Sequence, residues 1–359
     1  MGNQPPRLKF GVIGHQDNWK KIVDFVNSIR ITDGNPELSQ AKIKEVYGYF
    51  PPTKLFDIQI NSKVSGFVEG YYIESFLSPD ELGHSHIWNN LKKTREACEK
   101  AAQLGVDVVA LGGFTSIILE SGGANLQAIQ GTKFTTGNTL TAALIADSLV
   151  KACQKWNQPL KDSTLLIIGS TGDIGSACVR YFSNKVKKIL LTARNPAPLH
   201  QQEEQLKSEK ANCLASTHVS ELLPAADLII CVASSVLPEN YLDLLQSHAI
   251  ICDAGYPKNL NSENVKPSQK IYAGGMCLVE EGYCFSPEHF QKNIYEFPLP
   301  NISHGCTMES VVLALEGQSL AFSKGRGNIN LENMAYILAA AAKHGIVTAP
   351  FFNSKGLIN

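Results

Sequence analysis

At 359 residues, with a formal net charge of −1 and 18% charged residues, the protein is long enough for two cored domains. The near-neutral balance argues against a general nucleic-acid binder, which would carry a basic excess, yet leaves room for a local basic patch. The opening "MGNQPPRLKF" has no apolar leader core, Pro6 stands where myristoylation needs Ser or Thr, and no apolar run reaches membrane-span length. The 9 cysteines are odd in number, scattered and without a C-x-x-C pair, a usage that fits reduced thiols in the cytoplasm better than disulfides or a metal site.

In chain order, "LKFGVIGH" reads as a short buried strand and "NWKKIVDFVNSIR" as a mixed-charge helix. Strand-like runs follow at "IKEVYGYF" and "SGFVEGYYIES". "WNNLKKTREACEKAAQLG" is a helix stopped by Gly105, and "VDVVALGGF" a buried strand running into a glycine turn. "TTGNTLTAALIADSLVKACQKW" opens with capping residues and then repeats at helical spacing through Leu140, Leu144, Ile145, Leu149 and Cys153. Residues 1–158 are expected to form an N-terminal α/β domain that handles substrate, with "NQPLKDS" as the connector.

From Thr164 the pattern becomes regular β-α-β. "TLLIIGS", "KKILLTARN", "AADLIICVAS" and "HAIICDAGYP" are apolar throughout, as strands covered on both faces are, and "KIYAGGMC" reads as one more. The expected fold is therefore α/β, with a Rossmann-type doubly wound parallel sheet over residues 159–300. A helical segment over 301–359 completes the sequence, its last helix ending in Lys343, His344 and Gly345.

The stretch "LLIIGSTGDIGSACVRYF" sets Gly169, Gly172 and Gly175 between a strand and a helix. The first glycine allows the tight turn, the second lets backbone approach a pyrophosphate, and the third lets helix and strand pack closely. Helix-entry amides then attract the phosphates. Gly169, Ser170, Thr171, Gly172, Asp173, Ile174 and Gly175 are thus the expected dinucleotide loop. The next strand ends in "LLTARN", where an NAD site wants an acid; Thr192 and Arg194 stand there instead, and an arginine suits the 2′-phosphate of NADPH.

These motifs, taken in order, resemble the long-chain acyl-[acyl-carrier-protein] reductases, the aldehyde-forming enzymes of cyanobacterial type. The resemblance runs through "FGVIGH", "EGYYIES", "ALGGFTSIILE", "FTTGNTLTA", "GSTGDIGSA", "DAGYPKNL" and "CTMESVVLALEG" to "FSKGRGNI". Leu140, Ala254 and His304 depart from the family pattern, which has histidine, glycine and an aromatic there. The resemblance implies NADPH as cofactor, an acyl carrier protein as thioester donor, and an acyl-bearing cysteine at Cys306. It also implies that the turn holding Thr135, Thr136 and Asn138 faces the active site, although simple capping accounts for those residues equally.

Cys306 enters a helix-patterned run, a position that lowers a thiol pKa, while Glu309 nearby opposes the thiolate. His304 is a base or proton donor, or a plain loop residue. Tyr256 and Lys258 follow a late strand, where ligands of open α/β sheets collect, and either bond the thioester or nicotinamide or merely shape a turn. Basic residues Lys185, Lys187, Lys188, Lys324 and Arg326 are expected to dock the acidic carrier. Three other readings stand beside this one: a shikimate-dehydrogenase-like ketone reductase, a glutamyl-tRNA-reductase-like enzyme, whose cysteine lies near the N-terminus, and a non-catalytic NADP(H) sensor.

Overall fold

Short runs that are apolar at every position must be buried on both faces, and here they assemble into two separate sheets. The computed structural model describes residues 8–16, 18–82, 84–120, 126–256, 258–260, 269–294, 297–325 and 327–358. Its contacts divide the protein into two units, one of residues 1–137, 279–325 and 339–347, the other of residues 138–278, 326–338 and 348–359. The strands used below are β1 (Phe10–Gly14), β2 (Thr53–Ser62), β3 (Gly66–Glu74), β4 (Val108–Leu111), β5 (Lys133–Thr135), β6 (Thr164–Ile168), β7 (Lys188–Thr192), β8 (Cys213–Ala215), β9 (Leu228–Cys231), β10 (Ile250–Asp253), β11 (Lys270–Ala273) and β12 (Tyr283–Ser286). The helices are α1 (Trp19–Thr32), α2 (Gln40–Val46), α3 (Ile87–Gln103), α4 (Asn138–Lys155), α5 (Asp173–Phe182), α6 (Pro196–Ser208), α7 (Gly305–Leu315) and α8 (Leu331–Lys343).

The first unit holds a mixed sheet in the order β12-β2-β3-β1-β4-β5. β1 runs parallel to β3 and β4, β5 continues parallel to β4, and β2 is antiparallel to both β3 and β12. Ile13, Val109 and Leu111 point to one face, where Ala97, Cys98 and Ala101 of α3 cover them. Phe10, three residues from Ile13 and so on the other face, lines a narrow cavity with Thr307 and Met308 of α7. α7 packs across β1, β3 and β4, and Ser310 Oγ donates to the Gly11 carbonyl at 3.3 Å.

One element differs from its sequence pattern. "IKEVYGYF" reads as a strand, but its first half is the end of α2 and Tyr47–Tyr49 is a tight 3-10 turn. Ser39 caps α2 by accepting from Lys42 N, and Ile43 and Tyr47, one helical turn apart, are buried together with Ile22 and Phe76.

The second unit carries the sheet β11-β10-β9-β6-β7-β8, parallel throughout. The backbone winds outward from β6 through β7 and β8, then returns beside β6 at β9 and winds the other way. That is the doubly wound Rossmann order, with its switch point between β6 and β9. α4 packs on α5 and β10 within this unit, because it buries residues on nearly every side, from Leu140 to Cys153. The compact units therefore part at Gly137 rather than at residue 158, and β12 pairs with β2 of the first unit rather than joining residues 159–300. Among the described residues no helix is long and apolar enough to cross a membrane.

At the carboxyl end of β3 lies a buried carboxylate, Glu74. Gln16 Nε2 donates to it at 2.9 Å, the Tyr72 hydroxyl at 3.0 Å, Phe76 N at 3.3 Å and the Tyr47 hydroxyl at 3.4 Å. Burial still outweighs these donors and pushes its pKa up to about 7. A carboxyl that holds its proton more tightly when folded makes the fold less stable as pH rises from its unfolded value, 4.5, to about 7. Urea unfolding should therefore show stability falling by about 2–3 kcal/mol between pH 5 and pH 8 in the wild type, beyond the change in Glu74→Gln. Equal pH slopes in the two proteins would contradict this origin.

Candidate active site

The backbone reaches α7 through an extended His304, whose side chain makes no capping bond. Cys306 is the second residue of the helix and is half-buried. The polar groups of Thr307 and the Gly113 N–H act to lower its thiol pKa. Helix entry alone predicts a lowered thiol pKa, but here burial dominates and, helped by the Glu309 carboxylate, raises it. Burial also takes Cys252 to about 11 and Cys153 to about 12, and lifts Cys98, Cys178 and Cys231.

The turn after β5 is pressed against this cysteine. Gly137 has φ +72°, and a Cβ there would overlap the Cys306 carbonyl oxygen and Cα. Only glycine meets both conditions. Thr135 is fully buried, donates its hydroxyl to Glu309 Oε1, and accepts from Ser323 N at 3.0 Å. Ser323 Oγ donates to the same Glu309 oxygen at 2.7 Å, and its carbonyl accepts from Thr136 N at 3.1 Å. Glu309 sits one turn into α7, fully buried, rather than in the first turn. The His304 ring packs edge-on against Phe297, with 5.5 Å between centroids. Beside Thr307 and Met308, the cavity lined by Ile58, Ile60, Tyr283 and Phe285 measures about 10 Å³, room for a single water.

In the second unit the glycine loop is held from below. Gly169 N and Ser170 N both donate to the Thr192 carbonyl, at 2.9 and 3.1 Å. Gly169 has φ +90°, and a Cβ on Gly175 would overlap the Gly169 carbonyl. Gly172 is different: as the N-cap of α5 it would bring a Cβ into one tight contact, 3.3 Å from Gly169 O, and near no other atom. It offers no side chain to the first-turn amides of α5, including those of Ile174 and Gly175. Thr171 and Ile174 are half-buried beside it, and the buried Ser170 hydroxyl has no partner.

Asp173 is engaged on both oxygens, by Asn138 Nδ2 at 3.0 Å and Gly327 N at 3.0 Å. Asn138 thus belongs to the glycine loop, while Thr135 and Thr136 belong with Cys306. Arg194 is exposed and donates to Ser234 Oγ at 3.2 Å. An uncapped helix start, a glycine with one near neighbour and an orphaned hydroxyl fit the phosphates of a dinucleotide.

The "DAGYPKNL" loop is organised by two residues that its sequence does not advertise. Asp253 is buried and accepts from Gly255 N, Asn259 N and Leu260 N at 3.1, 3.1 and 2.9 Å. Asn259 accepts from Ala233 N at 3.0 Å and donates to the Ala233 and Ser235 carbonyls, fixing the loop after β9. Lys258 folds back to donate to the Asp253 carbonyl at 2.9 Å, and crowding round its ammonium lowers its pKa against the pull of Asp253. Tyr256 is exposed. Pro257 and Arg326 lie outside the described residues. Gly113, Thr307 and Ser323 carry no pattern of their own; Glu309, a lone charge in the apolar run "MESVVLAL", is the one buried anchor whose signal is readable.

No family model matches the protein. It is 32% identical over 348 residues to a long-chain acyl-[acyl-carrier-protein] reductase of Synechococcus elongatus, a match that covers 94% of its own length and 97% of that enzyme. It is 27% identical over 264 residues to the aminotransferase PigE of a Serratia species, over 70% of its own length and 29% of that protein. Among solved structures, L-tryptophan dehydrogenase from Nostoc punctiforme aligns over 69% of the present protein and 62% of its own length, with 13% identity and a TM-score of 0.35. Quinate dehydrogenase from Corynebacterium glutamicum aligns over 70% and 80%, with 11% identity and a TM-score of 0.34. At such scores the fold rests on the sheets described above.

Gly172 yields a separable test. Gly172→Val, whose Cβ would meet one tight contact at the Gly169 carbonyl, should still fold, yet lose dinucleotide binding by calorimetry. Wild-type affinity in a folded Gly172→Val protein would move the phosphate site elsewhere.

Proposed function

The protein belongs to the long-chain acyl-[acyl-carrier-protein] reductase family, and from that premise we propose that it reduces a fatty acyl thioester to the aldehyde with NADPH, through an acyl-enzyme on Cys306. One observation carries the cysteine: it is the half-buried second residue of a helix, with the Gly137 turn pressed against its backbone. In the first step the Cys306 sulfur bonds to the thioester carbon and the carrier's C–S bond breaks. The proton lost from Cys306 ends on the departing thiol. This exchange needs no net proton, which suits a thiol whose burial favours the protonated form.

Bound NADPH supplies the hydride to the acyl carbon. The hemithioacetal then breaks its bond to Cys306, releasing aldehyde, and the sulfur takes up one proton. His304, entering the same helix, is the proposed proton carrier for this last event. One thioester, one NADPH and one proton thus give aldehyde, free thiol and NADP⁺. The apolar walls beside Thr307 and Met308 suit the first methylenes of the acyl group, provided that side chains shift to widen the gap.

NADPH rather than NADH is the proposed cofactor because Arg194 is exposed at the end of β7 and the stretch holds no acid. The proposed carrier is an acidic acyl carrier protein in the cytoplasm, met by exposed lysines such as Lys185, Lys187 and Lys324. Family membership speaks against the ketone-reductase and tRNA-linked readings; turnover of a thioester separates the enzyme from a sensor.

Cys306→Ser should bind NADPH normally and form no aldehyde, because a hydroxyl of similar shape is scarcely ionised without a strong base. Aldehyde formation near the wild-type rate would replace the covalent route by direct hydride attack on the bound thioester. Arg194→Ala should weaken NADPH about 10- to 100-fold and leave NADH nearly unchanged, as expected for one lost charge-assisted phosphate contact. Equal loss for both dinucleotides would assign Arg194 to the loop's structure instead.

A further inference from the structure

Helix α6 packs on β7 and β8, and its inward face carries the buried Leu199 and Leu206. Gln202 stands between them at the helical spacing of three and four, a half-buried polar side chain on an apolar stripe. Its Nε2 donates to the carbonyl of Ser170 in the glycine loop at 2.9 Å. A carbonyl only accepts, so the nitrogen end of the amide must face it. The Ser176 hydroxyl, from α5, donates to the same oxygen at 3.1 Å. Two helices thus hold one loop carbonyl. The Ser170–Thr171 peptide is trans, so its N–H points opposite to that carbonyl, away from both donors. Among the described residues nothing accepts from Thr171 N. The other end of the glutamine is unpaired as well: Gln202 Oε1 is buried and has no partner among those residues. An amide oxygen buried without a hydrogen bond lowers stability, and an apolar side chain of the same length avoids that loss. Packing alone therefore gives no reason for glutamine at 202, whereas the bond to Ser170 does.

We propose that Gln202 is a positioning residue for the dinucleotide: by holding the Ser170 carbonyl inward, it presents the Thr171 N–H to the pyrophosphate. The inference rests on the glycine loop being the dinucleotide site. A backbone N–H that meets an ionised phosphate oxygen makes a charge-assisted hydrogen bond. Rotation of the same peptide would put a carbonyl oxygen in place of that donor, and its partial negative charge repels phosphate. The orientation of this one peptide therefore decides whether the loop attracts or repels at Thr171. Ser176 resists the rotation too, so losing Gln202 weakens the hold without abolishing it.

The experiment pairs NADPH titration by calorimetry with thermal melting of the ligand-free protein, on full-length wild type, Gln202→Met and Gln202→Asn. Methionine keeps the length of the side chain and removes both polar ends. Gln202→Met should bind NADPH about tenfold more weakly, the scale of one charge-assisted hydrogen bond, and melt no lower than the wild type. Asparagine keeps the amide but is one methylene short of the Ser170 carbonyl, and Gln202→Asn should bind as weakly as Gln202→Met. Wild-type affinity in either variant overturns the proposal. So does a Gln202→Met protein that melts well below the wild type, for the glutamine then serves the fold rather than the ligand. Failure of the dinucleotide reading itself appears separately, as wild-type affinity in folded Gly172→Val.

Discussion

The buried carboxylate of Glu309 is the constraint around which the first unit's chemistry is arranged. A carboxyl group without exposure survives in a core only when it is hydrogen-bonded, and the hydroxyls of Thr135 and Ser323 both donate to its Oε1. Because the donors come from distant parts of the sequence, satisfying Glu309 draws the turn after β5 and the segment at Ser323 onto α7. Gly137 then lies against the Cys306 backbone, where no other residue fits. The same charge that organises the site also works against a thiolate one turn away. Burial and that charge together favour the protonated cysteine. That arrangement suits exchange between thiol and thioester, in which the incoming and departing sulfurs share one proton.

The second unit solves a different problem with glycine. Gly169 and Gly175 are demanded by the fold, through a left-handed turn and a close carbonyl, whereas a Cβ at Gly172 would meet one tight contact alone. Asp173, a carboxylate at the start of the same helix, would repel phosphate, but Asn138 and Gly327 occupy both of its oxygens.

Much of this was legible in the residues. The Rossmann order follows from apolar strands alternating with helices, and the cysteine at a helix entry follows from a polar loop meeting an apolar run. What escaped is what depends on partners distant in sequence. The α2 segment looks like a strand because "IKEVYGYF" alternates, and only the burial of Ile43 with Tyr47 decides for a helix. α4 reads as part of the first domain, yet a helix apolar on almost all sides needs neighbours on almost all sides, and it finds α5 and β10. The thiol pKa could not be read from position, since burial outweighs helix entry. Ser323 acts through one hydroxyl and its backbone, which leave no pattern in sequence.

The central claim is that Cys306 carries the acyl group before any hydride arrives. Incubating the wild-type protein with an acyl thioester in the absence of NADPH, then mapping the mass increment by peptide, tests it most directly. The account predicts one acyl group on the peptide containing Cys306, discharged as aldehyde when NADPH is added. An unmodified Cys306 alongside full aldehyde production in the presence of NADPH, or an acyl group on another cysteine that NADPH discharges, would contradict it.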